Sequence, residues 1–351
     1  MKALTDPRDE DHSGKIGRSA TIYEVARSAG VSIATVSRVL RGTVPVAPET
    51  RTRVLAAVSR LRYVPSRLAR GLAEQQHAAN GVVFPDLSGP YYTEVVLGYE
   101  SETAELGRSV LILSTHGRTS APELVLDLAS RVDGLVIFGR TVDDDVVHWV
   151  VETGLPVLLL ARPAVAEADT LKTENTRSAR RLTGHLLDHG YRRLLFLGNP
   201  AVSADVAERW EGVSAVLDER GVAVPDPVPC GFSEDDGYAV GRAVLSSPDR
   251  PEALICANDE IALGALLAGE DLGVRVPDDI ALTGWDDVMA ARYARPALTT
   301  VRQPMRELGE RAARALHQRI TGTRSTPLHE VLPTQLVIRA SCGPHREEET
   351  R

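Results

Sequence analysis

Arginine dominates one short stretch of the sequence. Arg27, Arg38, Arg41, Arg51, Arg53, Arg60, Arg62, Arg67 and Arg70 lie within residues 19–73, opposed only by Glu24 and Glu49, for a local net charge of +7. Guanidinium groups at that density suit a polyanion, because each can donate paired hydrogen bonds to phosphate or to a base edge. Within this stretch, Ser32-x-x-Thr35-Val-Ser-Arg38 opens a helical pattern. Val31, Val36 and Val39 fall on one side of it, and Ile33, Ala34, Ser37 and Arg38 on the other. A helix of that kind can pack on its neighbours with one face and offer the other to a DNA groove.

The elements that must hold this helix are local. Thr21-Ile-Tyr-Glu24 has the form of a capping box, with Ile22, Val25, Ala26 and Ala29 at helical spacing. Gly30 is placed to end that helix and Ser32 to begin the next. Pro48 suits the first turn of a third helix carrying Val54, Leu55, Val58 and Leu61. Helix, glycine-containing turn and helix make a helix-turn-helix pattern. Ser66–Glu74 reads as a fourth short helix, with Leu68, Ala69 and Leu72 on one side, and Gln75–Ala79 as a connector.

From Gly81 the pattern changes. Apolar runs at 81–84, 109–114, 134–138, 156–161, 193–198, 253–257 and 280–284 alternate with amphipathic helical stretches, ending with one at 304–321. Such alternation predicts parallel sheets covered by helices, and the series is long enough for two α/β lobes with a cleft at the strands' carboxyl ends. The organisation expected is a flexible leader (1–18), a helix-turn-helix domain (19–65), a hinge helix and connector (66–79), a two-lobed domain (80–343) and a tail (344–351).

Composition excludes several classes. The 351 residues are 43% hydrophobic and 25% charged, ordinary for a folded soluble protein. No apolar run approaches bilayer length, and residues 1–18 are polar, carrying Asp6, Asp9, Glu10 and Asp11, with no signal-peptide core. Cys230, Cys256 and Cys342 lie far apart and suggest neither a metal ligand set nor a disulfide framework, which fits a reducing cytoplasm. Asp143-Asp144-Asp145 reads as the start of a helix rather than a metal site. Dinucleotide and phosphate-binding glycine motifs, the serine-hydrolase elbow and the zinc-protease helix are absent from the sequence, so neither an enzyme nor a bound cofactor is expected. The whole chain carries −8, so a small basic head precedes a large acidic body.

The segment Thr21-Ile-Tyr-Glu-Val-Ala-Arg-Ser-Ala-Gly-Val-Ser-Ile-Ala-Thr-Val-Ser-Arg-Val-Leu40 closely resembles the head of the lactose-repressor (LacI/GalR) family of bacterial transcription regulators. The likeness continues through Thr50-Arg51, Tyr63-Val-Pro65 and Ala69-Arg-Gly-Leu72. Matched by position, Arg38 is the base reader, with guanine its expected partner. Ile33 and Ala34 hold the family's main specificity positions, where apolar groups suit thymine methyls. Tyr23, Ser32, Thr35, Ser37 and Thr50 carry hydroxyls suited to phosphate, packing and capping being the other readings for Tyr23 and Thr35. Ala69 and Leu72 fall in the family's hinge helix, with Leu72 as a minor-groove wedge.

The resemblance extends over most of 80–343, to a two-lobed effector domain like that of periplasmic sugar-binding proteins. Its landmarks are Val83–Tyr92, Glu174-Asn175, Arg209–Gly212, Ala257–Glu260, Thr283–Asp287 and Leu298–Gln303. It implies Asp86, Tyr91, Arg209, Phe232, Asn258, Trp285 and Asp286 as effector residues, with carboxylates, amide and guanidinium for ligand hydroxyls and aromatic faces for a sugar ring. Asp259 serves either the cleft or the N-terminus of the helix that begins there, Trp285 either the cleft or the core, and Tyr92 packs. The implied function is regulation of transcription, as a repressor: a homodimer binds a palindromic operator and a small-molecule effector, a sugar or sugar derivative, controls that binding. Neither partner is a membrane. The competing readings are an exported solute-binding protein, which the basic head opposes, a doubly wound enzyme, and a DNA binder without effector.

Overall fold

The computed structural model describes residues 20–42, 44–63, 77–86 and 88–343. It divides into two compact units at Gln75/Gln76, each of which is described by itself.

The first unit is helical. Helix α1 (Ile22–Ala29) starts on a complete capping box, Thr21 accepting from the Glu24 amide while Glu24 accepts from that of Thr21. It stops at Gly30, whose φ of 65° is a left-handed conformation that glycine adopts without strain. Ser32 caps α2 (Ile33–Arg41) by accepting from the Thr35 amide at 3.2 Å. Pro48 is the first residue of α3 (Pro48–Arg60). Val25, Ala26, Ala29, Val36, Val39, Val54 and Ala57 form its buried core. The predicted hinge helix, Ser66–Glu74, lies outside the described residues, as do Ala69 and Leu72.

The second unit contains the two predicted lobes. A six-stranded parallel sheet is built from β1 (Ala79–Phe84), β2 (Ser109–Ser114), β3 (Leu135–Phe138), β4 (Val157–Leu160), β5 (Asp169–Thr173) and β10 (His329–Leu332), in the order β10-β5-β4-β3-β1-β2. Its helices are α4 (Pro90–Glu105), α5 (Ala121–Ala129), α6 (Asp144–Glu152) and α12 (Met305–Ile320). Two apolar clusters, one around Ile137 and Leu159 and one around Phe84 and Leu316, account for its core, and β1, β3 and β4 read as continuous buried runs because both faces are covered.

The other lobe has a three-stranded parallel sheet, β6 (Leu194–Leu197), β7 (Ala253–Cys256) and β8 (Ala281–Thr283), in sequence order. Around it lie α7 (Thr176–Asp188), α8 (Ala204–Glu219), α9 (Glu234–Leu245), α10 (Asp259–Leu272) and the short α11 (Met289–Tyr293). An antiparallel pair, β9 (Thr300–Arg302) and β11 (Gln335–Val337), completes it. The chain crosses between lobes after β5, after β9 and after β10. All seven strand-like runs of the sequence are strands. Four further strands carry no continuous apolar run to mark them: β5 alternates buried and half-buried residues of mixed type, and β9, β10 and β11 interleave Arg302, His329, Glu330 and Gln335 with apolar residues.

Candidate functional site: an inter-lobe cleft and a helical reading face

In the six-stranded sheet the strand order reverses between β1 and β3, the place where open α/β sheets bind ligands beyond their carboxyl ends. The loop after β1 brings Asp86 and Gly89 there, and the end of β3 brings Phe138 and Arg140. The second lobe presents its own carboxyl ends opposite, with Val202 after β6, Asn258 after β7 and Asp286 after β8. Together they enclose a cavity of about 500 Å3.

Of the seven effector residues expected, Asp86, Tyr91, Arg209, Phe232, Asn258 and Asp286 line this cavity. Trp285 does not. It is buried, with Nε1 lacking a partner among the described residues, and its ring lies under the Arg209 guanidinium, 4.6 Å from centroid to carbon. The expected sugar-stacking face is instead a platform for Arg209, because the indole belongs to the second lobe's core and the guanidinium covers its ring.

Arg209 is held on every side. Its Nη1 donates to the Ala257 carbonyl at 2.6 Å, its Nε to Asn175 Oδ1 at 2.9 Å, and its Nη2 lies 3.9 Å from Asp205. Asn175 in turn donates to Asp205 and Glu208, both at 3.2 Å. Glu174 accepts from the Arg177 and Ser178 amides at the start of α7. The Glu174-Asn175 pair thus divides its work: the carboxylate holds a helix end and the amide aims an arginine.

Asp286 sits at φ 116°, a backbone conformation rare for any side-chain-bearing residue and one that the surrounding contacts must enforce. Its amide donates to the Val301 carbonyl at 2.8 Å, and its Oδ1 accepts from Gln303 Nε2 at 2.5 Å. Gln303 is itself bonded to Thr173 of β5, so one hydrogen-bonded chain crosses from lobe to lobe. Burial raises the Asp286 carboxyl, and Arg209 and Gln303 only partly offset this. Burial also raises Asp205, again opposed by Arg209. Glu260 is pushed up to about 8 by burial and by the neighbouring carboxyls of Asp286 and Glu234. Burial, with Asp205 and Asp286 nearby, raises the Tyr91 phenol, which therefore stays a donor.

Asn258, not Asp259, caps α10: its Oδ1 accepts from the Ile261 amide at 2.9 Å while its Nδ2 donates to the Phe232 carbonyl. Asp259 is fully buried outside the cavity lining, accepting from the Val288 amide and the Thr300 hydroxyl at 2.9 and 2.6 Å. Both offered readings of that residue give way to a third, a clamp on the loops that frame Asp286. Asp287 is bonded to Arg302 and Arg339 and faces Arg292; burial pushes its carboxyl up, but these cations outweigh it and hold it low. Tyr92 lines the cavity as well as packing edge-on against Phe84 and Phe138. Asp205, Glu260 and Gln303 were missed as site residues, although Asp205 stands one helical turn before Arg209 and Gln303 closes a landmark segment.

In the helical unit, Ile33, Ala34 and Arg38 are exposed on α2 and Ser37 is half-buried, while Val36 and Val39 point into the core. Tyr23 is exposed, 65% of its surface open. The Ser32 and Thr35 hydroxyls are 2.9 Å apart, so both stand at the N-terminus of α2, where backbone amides attract anions. Thr50 is half-buried in α3.

A helix-turn-helix head and a two-lobed ligand-binding body define a ligand-responsive DNA-binding regulator. Residues 21–66 match the bacterial regulatory proteins of the lacI family, and residues 183–342 match a periplasmic-binding-protein-like domain. The HTH-type transcriptional repressor PurR of Pasteurella multocida is 32% identical, over 92% of this chain and 98% of that protein. Catabolite control protein A of Priestia megaterium is 33% identical, over 85% and 92%. The lac repressor dimer bound to operator and the anti-inducer ONPF superposes with a TM-score of 0.84 at 30% identity, covering 93% of this chain and all of that one. A CelR–cellobiose complex superposes with a TM-score of 0.70 at 31% identity, covering 92% and 99%. The chain belongs to the lacI family of bacterial transcription regulators. It is a DNA-binding regulator, not an enzyme. Among the described residues no helix is long and apolar enough to cross a membrane.

Proposed function

We propose that the cleft binds a neutral, polyhydroxylated sugar, and that its occupancy releases a homodimer of this chain from a palindromic operator. The observation that carries the ligand class is the acid-rich, cation-poor lining. Asp86, Asp205, Glu234, Asp236, Glu260 and Asp286 outnumber Arg140, Arg209 and His116. Carboxyl groups exchange hydrogen bonds with sugar hydroxyls in either protonation state, and Arg209 donates to them, whereas a phosphate would find few cations among these acids. Phe232 and Tyr91 supply apolar faces for a ring. The cellobiose bound by the CelR relative supports the same class.

A thermal-unfolding panel tests this. Neutral mono- and disaccharides, offered beside their phosphorylated forms, should include one that raises the Tm; a ligand at 100 times its Kd adds about 2.7 kcal/mol to stability. A panel in which only phosphorylated sugars shift the transition would overturn the ligand class.

Two heads on one palindrome need a dimer, since the second then binds at high effective concentration. Strand β2 is an edge of the large sheet, and Leu111 and Ile112 are exposed on it, 38% and 47%. An apolar edge of that kind calls for a cover. Ile112→Asp should therefore convert the dimer to monomer in sedimentation-velocity runs at micromolar concentration, and a dimer that persists would remove this strand from the interface.

A further inference from the structure

Three metal-ligating side chains meet in the second lobe, two of them one helical turn apart and the third far along the sequence. His185 and His189 are one turn apart at the end of α7, so they share a face. Their rings contact edge to face with centroids 4.6 Å apart. Cys342, at the end of a 3-10 turn formed by Ala340–Cys342, places Sγ 3.4 Å from His185 Nε2. One donor atom from each of the three lies within 4.8 Å of the other two.

From this cluster we infer a binding site for a divalent transition-metal ion of the zinc class. Two imidazoles and a thiolate are the donors such an ion prefers, and calcium or magnesium would reject them. In a tetrahedral zinc site with bonds of 2.0–2.3 Å, neighbouring ligand atoms stand ~3.3–3.7 Å apart, so closing around an ion asks these side chains for only about an ångström of adjustment. Cys342 is buried and the two histidines are half-buried, which leaves a protein side and an open side. The arrangement provides three protein ligands and a fourth position for water or another donor.

The surroundings are already ordered. The Thr299 hydroxyl is 3.0 Å from Cys342 Sγ and can donate to the thiolate that metal binding creates. The Tyr191 hydroxyl donates to the Cys342 carbonyl at 3.2 Å, and its ring stacks on His189. On binding, the thiol gives its proton to solvent as the sulfur–metal bond forms, with no change of oxidation state. The bound ion ties the end of α7 to the strand-end segment that follows β11. This site is separate from the cleft: His189 is 14 residues along α7 from Asn175, roughly 20 Å at the helical rise.

Titration of the tag-free full-length protein with Co2+ tests the inference. One ion per chain should bind, with intense visible bands of tetrahedral cobalt and a near-ultraviolet thiolate-to-cobalt absorption, both removed by Zn2+. Cys342→Ser should abolish the thiolate band, whereas Cys230→Ser and Cys256→Ser, which change the other two cysteines, should keep it. His189→Gln should weaken uptake at least tenfold. Zn2+ should raise the Tm of the parent protein and leave that of Cys342→Ser unchanged. Absence of stoichiometric uptake at micromolar metal, or a thiolate band that survives Cys342→Ser, would overturn the site. Neither result bears on the sugar cleft.

Discussion

Replacing Arg38 by alanine should remove most of the preference for operator over random duplex while leaving the fold intact. The side chain is exposed on α2, and the core beneath it is made by Val36 and Val39, so truncation leaves no cavity and no unpaired buried group. A bidentate arginine–guanine pair is worth ~1–3 kcal/mol of discrimination. A dimer loses it at both half-sites, so specific affinity should fall by roughly one and a half to four orders of magnitude. Random duplex offers that arginine only a phosphate, and affinity there should fall much less. Fluorescence anisotropy on both duplexes at several salt concentrations measures the two terms separately. The parent protein should show a steep negative slope of log affinity against log salt, since each neutralised phosphate contributes about −0.9. Equal losses on operator and random duplex would take Arg38 out of base reading and leave it a phosphate contact.

The features that sequence reasoning located are those whose causes are local. A capping box needs only Thr21 and Glu24, and a left-handed helix end needs only Gly30, so the head was legible nearly residue by residue. Strands buried on both faces also announce themselves, as Leu135–Phe138 and Val157–Leu160 do. Strand β5 does not: Asp169, Leu171 and Thr173 are buried in a mixture of polar and apolar types, because Asp169 is bonded to Arg324, 155 residues away. The cleft shows the same division. Arg209 and Asp286 could be placed by position, but the duties of Trp285 and Asp259 could not. Both depend on partners brought by tertiary folding: a guanidinium from α8 over the indole, and Thr300 and Val288 around the carboxyl. Cys342 is the extreme case. In sequence it stands 153 residues beyond His189, yet they belong to one cluster.

Asp286→Asn should yield a repressor that holds its operator as before but lets go only at a higher sugar concentration. Asparagine has the same shape, and its carbonyl oxygen can still accept from Gln303 Nε2. Burial already raises the Asp286 carboxyl, so a neutral amide relieves desolvation and the unliganded protein should be no less stable. What disappears is the charge, which the parent carries in full only above about pH 7, so both proteins are compared at about pH 8. A hydrogen bond from a sugar hydroxyl to a carboxylate contributes ~1.5–3 kcal/mol, against about 1 for a neutral acceptor, a difference of about 0.5–2 kcal/mol. Sugar affinity should therefore fall roughly twofold to thirtyfold, while operator affinity without sugar stays within about twofold of the parent. Effector acts only through its differential affinity for the two states, so weaker sugar binding moves the release curve to higher concentration by the same factor. Operator anisotropy titrated with the sugar found in the thermal panel reads both quantities from one experiment. If the release curve does not move, Asp286 does not touch the ligand, and its strained backbone serves only the crossing held by Gln303 and Thr173. If operator affinity collapses without sugar, the substitution has disturbed the lobes themselves rather than the effector's grip on them.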